Sequence, residues 1–414
     1  MRFSILTLGC KTNQAESEHL LSSLLERGYE EVELKDRPDI CIINTCTVTA
    51  KTDYQSRQLI RRALRTGAKV IVTGCYAQRA PEEINEISHD CVIVANDKKN
   101  IIFNMLSHRT SSNTLYLPHR SRPIIKIQDG CNKKCSYCII PSVRGRSRSR
   151  KPFDIIDEIK RLEDTGFNEV VLTGINLGSY GLDLRPPLKL EDLLKEIISA
   201  TKKIRIRLSS LGIKEVSSRL IDLIKESGRI CRHIHLSLQS GDDIVLKIMN
   251  RNYRAEDFIR LVDDLKTKIE DINIGADVIV GFPGEKDSNF ENTYRVIEKV
   301  AIGYLHIFPY SKRPGTPASE MPEQIDSKVK SHRFELLKNL DRRLRNSFKA
   351  SQLGKQLQIV VEKIEGSTVQ GKTDNYLDVS VSKMGLNITR SDTLLIIIKE
   401  IADEGLIGEP LLSL

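Results

Sequence analysis

Short apolar runs alternate with amphipathic stretches over the first 118 residues of the chain. The runs are rich in β-branched residues and bounded by polar turns, which predicts buried strands at FSILTL, DICIIN, KVIVTG and CVIVA. Helical periodicity occupies the intervals around residues 14–26, 54–65 and 97–106. This order of strands and helices predicts a parallel sheet covered by helices.

A second and longer alternation begins at Ile124 and predicts six strands, namely IIKIQ, EVVLT, IRIRLSS, HIHLSLQ, NIGADVIVGF and YLHIFPY. Helical patterns lie between them at 154–165, 190–200, 215–226, 255–268 and 287–300, and a long charged helix follows at about 322–350. Six such units favour an open or partial (β/α) barrel over a closed one with eight units. Barrels of this kind place their chemistry at the carboxyl ends of the strands.

The last segment, residues 351–414, changes character, because LQIVVEKI, TVQGKTDNYLDVSV and TLLIIIKEIA read as strands with polar turns. It predicts a small all-β barrel, a shape often used for contact with RNA. The polar stretch 107–123, with prolines near its end, predicts a linker. The predicted fold class is therefore α/β, with a flavodoxin-like parallel sheet at 1–118, a partial barrel at 119–350 and the all-β barrel at 351–414.

Composition narrows the class of protein. Hydrophobic residues make up 40% of the 414 and charged residues 29%, a balance typical of a soluble globular protein. No apolar run approaches the roughly 20 residues that span a bilayer, and the N-terminus lacks the features of a signal peptide. We therefore expect a cytoplasmic protein without a membrane partner, in which a set of nine cysteines indicates metal binding rather than a disulfide framework.

The net charge of +9 is modest for this length and does not by itself distinguish an RNA-binding protein from a mildly basic soluble one. Its distribution is more informative, because five basic residues crowd one short segment after a cysteine-rich loop. These are Arg144, Arg146, Arg148, Arg150 and Lys151. Such a run is often only a solvated face, but beside a candidate active site it favours contact with phosphates or with an anionic substrate.

The strongest motif is GCNKKCSYC, which contains Cys131, Cys135 and Cys138 in one turn-rich loop after a strand. A structural zinc site needs four ligands, and no fourth Cys or His follows at zinc-finger spacing. A [4Fe–4S] cluster held by three thiolates leaves one iron open. That iron can chelate the amino and carboxylate groups of S-adenosylmethionine.

This cysteine spacing, with Tyr137 before the last cysteine, resembles the signature of radical S-adenosylmethionine enzymes. The resemblance implies that the reduced cluster cleaves the ligand to methionine and a 5′-deoxyadenosyl radical, with Tyr137 near the adenine. Three further segments, LTGINLGSYG, HLSLQSG and DVIVGFPGE, match strand ends that contact the ligand in that superfamily. The contacts so implied come from Gly174, Asn176, Ser237, Gln239, Val280, Gly281 and Pro283.

A second trio, Cys10, Cys46 and Cys75, follows the predicted strands of the N-terminal sheet. The carboxyl ends of neighbouring parallel strands line one crevice, so the three thiols can converge there. Free cysteine is also a common small apolar core residue, and we assign that role to the other three, Cys41, Cys91 and Cys231. For the strand-end trio, position and resemblance together favour a second [4Fe–4S] cluster.

The strings LGCKTNQAESE, INTCTVT, TGCYAQ, QDGCNKKCSYCIIPSVRGRSRSR and FPYSKRPGTPA resemble the methylthiotransferases over essentially the whole chain. The resemblance implies an auxiliary-cluster domain, a radical domain and a C-terminal TRAM barrel, in which TDNYLDV fits the TRAM pattern. It further implies that one S-adenosylmethionine methylates a sulfur on the first cluster, while a second activates the target carbon.

LGCKTNQAESE looks most like the subgroup that modifies threonylcarbamoyladenosine in tRNA, where the implied partner is the anticodon stem-loop. Two other subgroups remain as alternatives, one acting on isopentenyladenosine in tRNA and one on an aspartate of a ribosomal protein. A two-cluster electron carrier or RNA-binding protein is the alternative outside catalysis. No motif identifies the sulfur donor or the electron donor.

The substrate carboxylate gives the local arginines a partner, because guanidinium pairs with carboxylate in a bidentate fork. We therefore predict that Arg144 or Arg146 binds the substrate. In the barrel we predict RNA contacts from Tyr376, Lys372 and Lys383, with simple packing as the alternative for Tyr376. Two further basic residues, Lys312 and Arg313, either touch RNA or are solvated.

Overall fold

The computed structural model describes residues 1–106, 118–383 and 385–411. The chain forms two compact units. The first comprises Met1–His119, Asp129–Arg148 and Ser311–Glu320, and the second comprises Arg120–Gln128, Ser149–Tyr310 and Met321–Leu414. The three-domain division at 118 and 350 stays a prediction, and residues 107–117 of the predicted linker lie outside the described residues.

The N-terminal sheet has five parallel strands in the order β2-β1-β3-β4-β5. Its strands are β1 (Arg2–Thr7), β2 (Glu30–Glu31), β3 (Ile40–Thr45), β4 (Lys69–Gly74) and β5 (Val92–Ile93). Its helices are α1 (Lys11–Leu25), α2 (Ala50–Leu64), α3 (Cys75–Arg79), α4 (Pro81–Asn85) and α5 (Asn100–Met105). The four predicted strands are confirmed, whereas β2, α3 and α4 are additional.

The central strand β3 is buried along its whole length and explains why helices cover both faces of this sheet. Its odd and even side chains point in opposite directions, so each face needs its own apolar cover. On one face Ile43 packs with Ile60 of α2, and on the other Ile42 packs with Leu20 and Leu24 of α1.

The following strands form the partial barrel that the sequence predicts. They are β6 (Ile124–Asp129), β7 (Arg148–Ser149), β8 (Glu169–Gly174), β9 (Arg205–Leu208), β10 (His233–Gln239), β11 (Asn273–Val280) and β12 (Tyr304–Pro309). They make two sheets, β7-β6-β8-β9 and β10-β11-β12, and among the described residues isolated bridges such as Leu211–Leu236 connect the two. All six predicted strands are confirmed, and the short β7 is additional.

The helices of this part confirm the predicted periodicity. They are α6 (Ile140–Arg144), α7 (Pro152–Asp164), α8 (Leu190–Ala200), α9 (Ser218–Ser227), α10 (Asp243–Ile248), α11 (Ala255–Lys268), α12 (Asp287–Val300), α13 (Pro317–Glu320) and α14 (Ser327–Ala350). The long helix α14 begins later than predicted, because the Asp326 carboxylate accepts a hydrogen bond from the Lys328 amide at 2.7 Å and caps it there. Within the described part of the chain, no helix combines the length and apolar character that crossing a membrane requires.

The C-terminal segment is a closed five-stranded barrel, as predicted, with the order β13-β14-β15-β17-β16. Its strands are β13 (Gln356–Glu365), β14 (Thr368–Thr373), β15 (Asp378–Ser382), β16 (Thr393–Ala402) and β17 (Gly405–Pro410). The run TVQGKTDNYLDVSV contributes two strands, β14 and β15, on either side of a turn at residues 374–377.

Candidate functional site

The first unit brings Cys10, Cys46 and Cys75 to the carboxyl edge of the N-terminal sheet. Cys10 precedes α1, Cys46 directly follows β3, and Cys75 is the first residue of α3 after β4. The loop before α1 turns tightly at Gly9, whose φ is +107°. A Cβ at that position would lie 2.9 Å from the Cys46 sulfur, so the first two cysteine loops approach each other closely only because residue 9 is glycine.

The three thiols influence one another electrostatically. Burial raises the pKa of Cys46 to about 11, and negative charge on Cys75 and Cys10 adds to the rise. Burial also raises the pKa of Cys75, while the positive charge of Arg144 lowers it. Thiolates whose charges raise one another's pKa need positive charge to exist together at neutral pH, and an iron–sulfur cluster supplies it. The donor set therefore fits the second cluster that the sequence suggests.

Arg144 differs from its predicted role, because it lies inside the first unit with its side chain only 1% exposed. Its Nε donates to the Cys75 sulfur at 3.3 Å, and Nη1 donates to Glu16 at 2.8 Å and Asp129 at 2.9 Å. Its Nη2 donates to Glu16 and to the side-chain oxygen of Asn13. All five N–H groups thus have acceptors within the protein, so no donor is left for a substrate carboxylate. Arg146 is exposed and stays the candidate for that role.

The Cys131–Cys138 loop, also in the first unit, is held by its own backbone. Gly130 has a φ of +72°, and a Cβ there would lie 2.0 Å from the Arg146 carbonyl oxygen. The Cys131 amide donates to the Gly145 carbonyl at 3.0 Å, and the Lys133 amide donates to the Cys131 sulfur at 3.4 Å. A backbone N–H directed at a sulfur suits a thiolate ligand, so this loop fits a cluster as well.

Within the same unit, Tyr137 is half-buried beside Cys138. The segment at residues 311–320 packs against this loop, with the Ala318 amide donating to the Ser136 carbonyl at 2.8 Å. Arg313 of that segment is neither solvated nor free to touch RNA, which corrects the expectation. It is buried, pairs with Asp53 and donates to the Thr47 hydroxyl at 2.9 Å, whereas its neighbour Lys312 is exposed.

The second unit holds the residues that the sequence assigns to ligand contacts at β8. Gly174 ends β8 beside Gln128, and a Cβ there would lie 2.8 Å from the Gln128 side-chain oxygen. The same Gln128 oxygen accepts from the Asn176 amide at 2.8 Å. The side chain of Asn176 donates to Glu215 at 2.9 Å and accepts from the Ser179 hydroxyl. Its side chain is therefore held in one orientation at the strand end.

The ends of β10 and β11 carry the remaining predicted contacts. Gln239 has a φ of +66° and follows an irregularity in the pairing of β10 with β11, which turns the chain out of the strand. Ser237 is half-buried two residues earlier. After Val280, Gly281 has a φ of +70°, and its amide donates to the Glu285 carboxylate at 2.6 Å. Pro283 is buried in the same turn.

Sequence reasoning missed a polar cluster on strands β10, β11 and β12 of the partial barrel. His235, Asp277 and His306 come from three adjacent strands, and Asp277 accepts from His235 at 2.9 Å and lies 3.5 Å from His306. Burial favours the neutral acid, yet hydrogen bonds from both histidines hold the pKa of Asp277 at about 2. The Tyr304 hydroxyl contacts His235 at 3.0 Å and His233 at 2.7 Å. The alternation of polar and apolar letters in HIHLSLQ and YLHIFPY was the available signal.

The base of the partial barrel contains a second feature that sequence reasoning missed. Glu169 at the start of β8 is fully buried and pairs with Arg205 and Arg207 of β9 at 2.6 and 2.7 Å. Arg207 also donates to the carbonyls of Thr373 and Asp374, at 2.8 and 3.0 Å. The turn between β14 and β15 therefore docks on the amino-terminal edge of the partial barrel.

Tyr376 belongs to this docked turn. Its surroundings match the alternative given above, in which the ring packs within the protein. Its ring stacks on His233 with centroids 4.3 Å apart, and the cations of Arg207 and Lys372 lie 5.2 and 4.4 Å from its centroid. Lys372 is itself paired with Asp378 at 2.5 Å. Of the three predicted RNA contacts, Lys383 is half-buried and directly follows β15.

Two family models match the chain, "Radical SAM superfamily" over residues 125–297 and "Uncharacterized protein family UPF0004" over residues 2–95. A threonylcarbamoyladenosine tRNA methylthiotransferase of Aquifex aeolicus is 38% identical over 92% of this chain and 96% of its own length. That of Bacillus subtilis is 38% identical, covering 90% and 88%. A tRNA-2-methylthio-N(6)-dimethylallyladenosine synthase of Acetivibrio thermocellus is 32% identical, covering 87% and 80%.

Among solved structures, the radical S-adenosylmethionine methyltransferase TsrM from Kitasatospora setae is similar, with a TM-score of 0.57 and 15% identity. The match covers 77% of this chain and 75% of TsrM. At that identity the likeness concerns the fold, and it agrees with the parallel sheets described above.

Proposed function

This chain belongs to the radical S-adenosylmethionine methylthiotransferase family, and we propose that it adds a 2-methylthio group to threonylcarbamoyladenosine in tRNA. Relatives named for that nucleoside are 34–38% identical over most of the chain. Relatives named for dimethylallyladenosine are 32–35% identical, which makes their nucleoside the second candidate. The opening string LGCKTNQAESE supports the first choice.

The observation that carries the proposal is the convergence of Cys10, Cys46 and Cys75 at one edge of the N-terminal sheet. A radical enzyme needs one cluster to cleave S-adenosylmethionine. A second set of three cysteines has a catalytic purpose in such an enzyme if another reactive group must be held. Sulfur delivered to an unactivated carbon is such a group, because a C–H bond of this kind has no acidic proton for a general base to remove.

The family uses S-adenosylmethionine and two [4Fe–4S] clusters. We assign one cluster to Cys131, Cys135 and Cys138 and the other to Cys10, Cys46 and Cys75. When bound, the clusters supply the electron that cleaves the sulfonium and an open iron on which sulfur is held. We further propose that Asn176, Gln239 and the Gly281 turn of the second unit contact the ligand. The Asn176 side chain is held by Glu215 and Ser179, and the Gly281 amide is held by Glu285.

The polymeric partner is tRNA, and we propose the anticodon stem-loop as the part that is bound. The exposed basic residues of the first unit, Arg146, Arg148 and Lys312, are free of the buried ion pairs and suit phosphate contacts. The C-terminal barrel adds the shape used by small RNA-binding barrels. A cytoplasmic location, where thiols stay reduced, completes the proposal.

Nucleoside analysis of bulk tRNA from cells with and without the gene tests the function. We expect 2-methylthio-threonylcarbamoyladenosine to disappear on deletion, with the unmodified nucleoside accumulating. A plasmid copy should restore it, and a copy with Cys75→Ser should not. The matched control is Cys91→Ala, because Cys91 is buried outside both trios and its loss should leave the modification intact.

The same digest distinguishes the other candidates. Loss of the methylthio form of isopentenyladenosine would replace the proposed substrate with that nucleoside. If both nucleosides were unaffected and the aspartate of the ribosomal protein lost its methylthio group instead, the tRNA proposal would be wrong. Failure of the purified, reconstituted and reduced chain to release 5′-deoxyadenosine would favour a role without catalysis.

A further inference from the structure

One side chain joins the two cysteine-bearing parts of the first unit. Arg144 lies six residues after Cys138, in the segment that follows the second cysteine loop. Its Nε donates to the sulfur of Cys75 at 3.3 Å, which places a charged hydrogen-bond donor directly on a cysteine of the N-terminal trio. Cys75 is buried, the Asn96 amide donates to the same sulfur at 3.8 Å, and Lys99 adds a further positive charge to its surroundings.

The guanidinium is held firmly in that position. Glu16 and Asn13 of α1 accept from one side, and Asp129 at the end of β6 accepts at 2.9 Å. Glu16 also pairs with Lys99, so the anchor is itself part of a buried network. Planar, delocalised and permanently charged, a guanidinium fixed in this way cannot turn away from the sulfur without giving up its hydrogen bonds to Glu16, Asn13 and Asp129.

A hydrogen bond to a cluster thiolate has a defined effect on redox chemistry. Reduction adds one negative charge to the cluster, and a fixed positive N–H donor stabilises the more negative state. The donor therefore raises the reduction potential of the cluster that its sulfur ligates. The absence of bulk water around Cys75 strengthens the effect, because a buried charge is weakly screened.

We propose that Arg144 is a positioning residue that tunes the cluster at Cys10, Cys46 and Cys75 through Cys75 and ties the second cysteine loop to that site. The inference rests on the cluster assignment of the proposed function. It replaces the substrate-binding role expected for Arg144 and leaves that role to Arg146.

The test measures the potential of this cluster alone. The full chain carrying Cys131→Ala, Cys135→Ala and Cys138→Ala is reconstituted anaerobically, and the midpoint potential is read by a dye-mediated titration followed by electron paramagnetic resonance. Adding Arg144→Met, which keeps the volume but removes charge and donors, should lower the equilibrium constant for reduction about tenfold. That change corresponds to about 59 mV for a one-electron couple.

The matched control is Arg62→Met, because Arg62 is an exposed arginine at the end of α2 and should not change the potential. The inference would be overturned if adding Arg144→Met to the triple-alanine chain left the midpoint potential unchanged at equal iron loading. If Arg144→Met fails to load iron, Arg144→Gln removes the positive charge but keeps a polar side chain for the neighbouring carboxylates, and an unchanged potential in that variant would overturn the inference equally.

The inference and the proposed function fail in different ways. A chain that modifies tRNA in cells but shows no shift on substitution of Arg144 disproves only the tuning role. If the chain carrying the three cysteine-to-alanine substitutions loads no iron at Cys10, Cys46 and Cys75, the cluster assignment and the tuning role are disproved together.

Discussion

The buried carboxylate at the base of the partial barrel offers the sharpest test of the fold. Glu169 is fully buried, and two guanidinium groups, Arg205 and Arg207, lie within 2.7 Å of it and are also nearly inaccessible. Burial alone would raise the pKa of Glu169, but the positive charges of Arg207, Arg205 and Arg122 hold it well below its ordinary value. Glu169→Gln keeps the shape and removes the charge, so the arginines are left buried without their counter-ion.

Breaking a buried ion pair from one side costs about 3–5 kcal/mol, since the remaining charge is neither solvated nor paired. We therefore expect Glu169→Gln to lower the melting temperature by roughly 6–20 °C, at about 2–4 °C per kcal/mol for a region of this size. Calorimetry of the chain at equal cluster loading measures the shift. The control is Glu291→Gln, because Glu291 and Arg295 are also 2.7 Å apart but 59% and 70% exposed. That exposed pair should change stability by less than about 0.5 kcal/mol.

The pH dependence follows from the direction of the shift. The folded pKa of Glu169 is depressed, so the stability it contributes is present above the pKa of the unfolded chain and is lost as the pH falls through the folded value. The difference between the native chain and Glu169→Gln should therefore be constant from pH 5 to 8, above the ordinary glutamate pKa of about 4.3. A loss of less than about 1 kcal/mol, or a difference that varies within that window, would refute the reasoning.

Three further substitutions test the site and its supports. Gly74→Ala should destabilise the chain by about 1–3 kcal/mol and lower its iron content on reconstitution, because φ is +99° and a Cβ would lie 2.3 Å from the Thr45 carbonyl; full iron loading would contradict this. Tyr376→Ala should lower the free energy of unfolding by about 2–4 kcal/mol in a denaturant titration, because the stack on His233 is lost. The affinity for tRNA should not change, and weaker tRNA binding at unaltered stability would show instead that the ring contacts RNA. Arg313→Gln should lower the free energy of unfolding by roughly 2–4 kcal/mol, because the buried Asp53 carboxylate loses one of its partners. The salt dependence of tRNA binding should not change, and a smaller salt slope would mean that Arg313 contacts phosphate.

Periodicity was sufficient wherever an element buries a continuous apolar face. The six main strands of the partial barrel and the four main strands of the N-terminal sheet were predicted because each contains a run of β-branched residues. β2 was missed because Glu30 and Glu31 are charged and exposed, so its pairing with β1 leaves no apolar signal. The cysteines were predicted because their spacing is local, either in one loop or directly after a strand.

The roles of single polar residues depend on contacts between distant parts of the chain. Arg144 reads as a substrate ligand from its neighbours in sequence, but Glu16, its ion-pair partner, lies 128 residues away. Tyr376 similarly lies in a turn typical of an RNA-binding barrel, yet its ring stacks on His233 of another part of the chain. A buried guanidinium or phenol must satisfy its donors from whatever the fold brings near, and that set is not encoded by adjacent residues.

The sequence by itself therefore determined the class of fold, the two cysteine trios and the family, because each depends on local patterns of apolar residues, glycines and thiols. Only the tertiary structure decided which arginines are free for substrate and which are committed to the interior, and that a turn of the C-terminal barrel docks beneath the partial barrel. The physical reason is that burial of a charge or a ring is a property of long-range packing, and its cost is balanced by partners that sequence distance conceals.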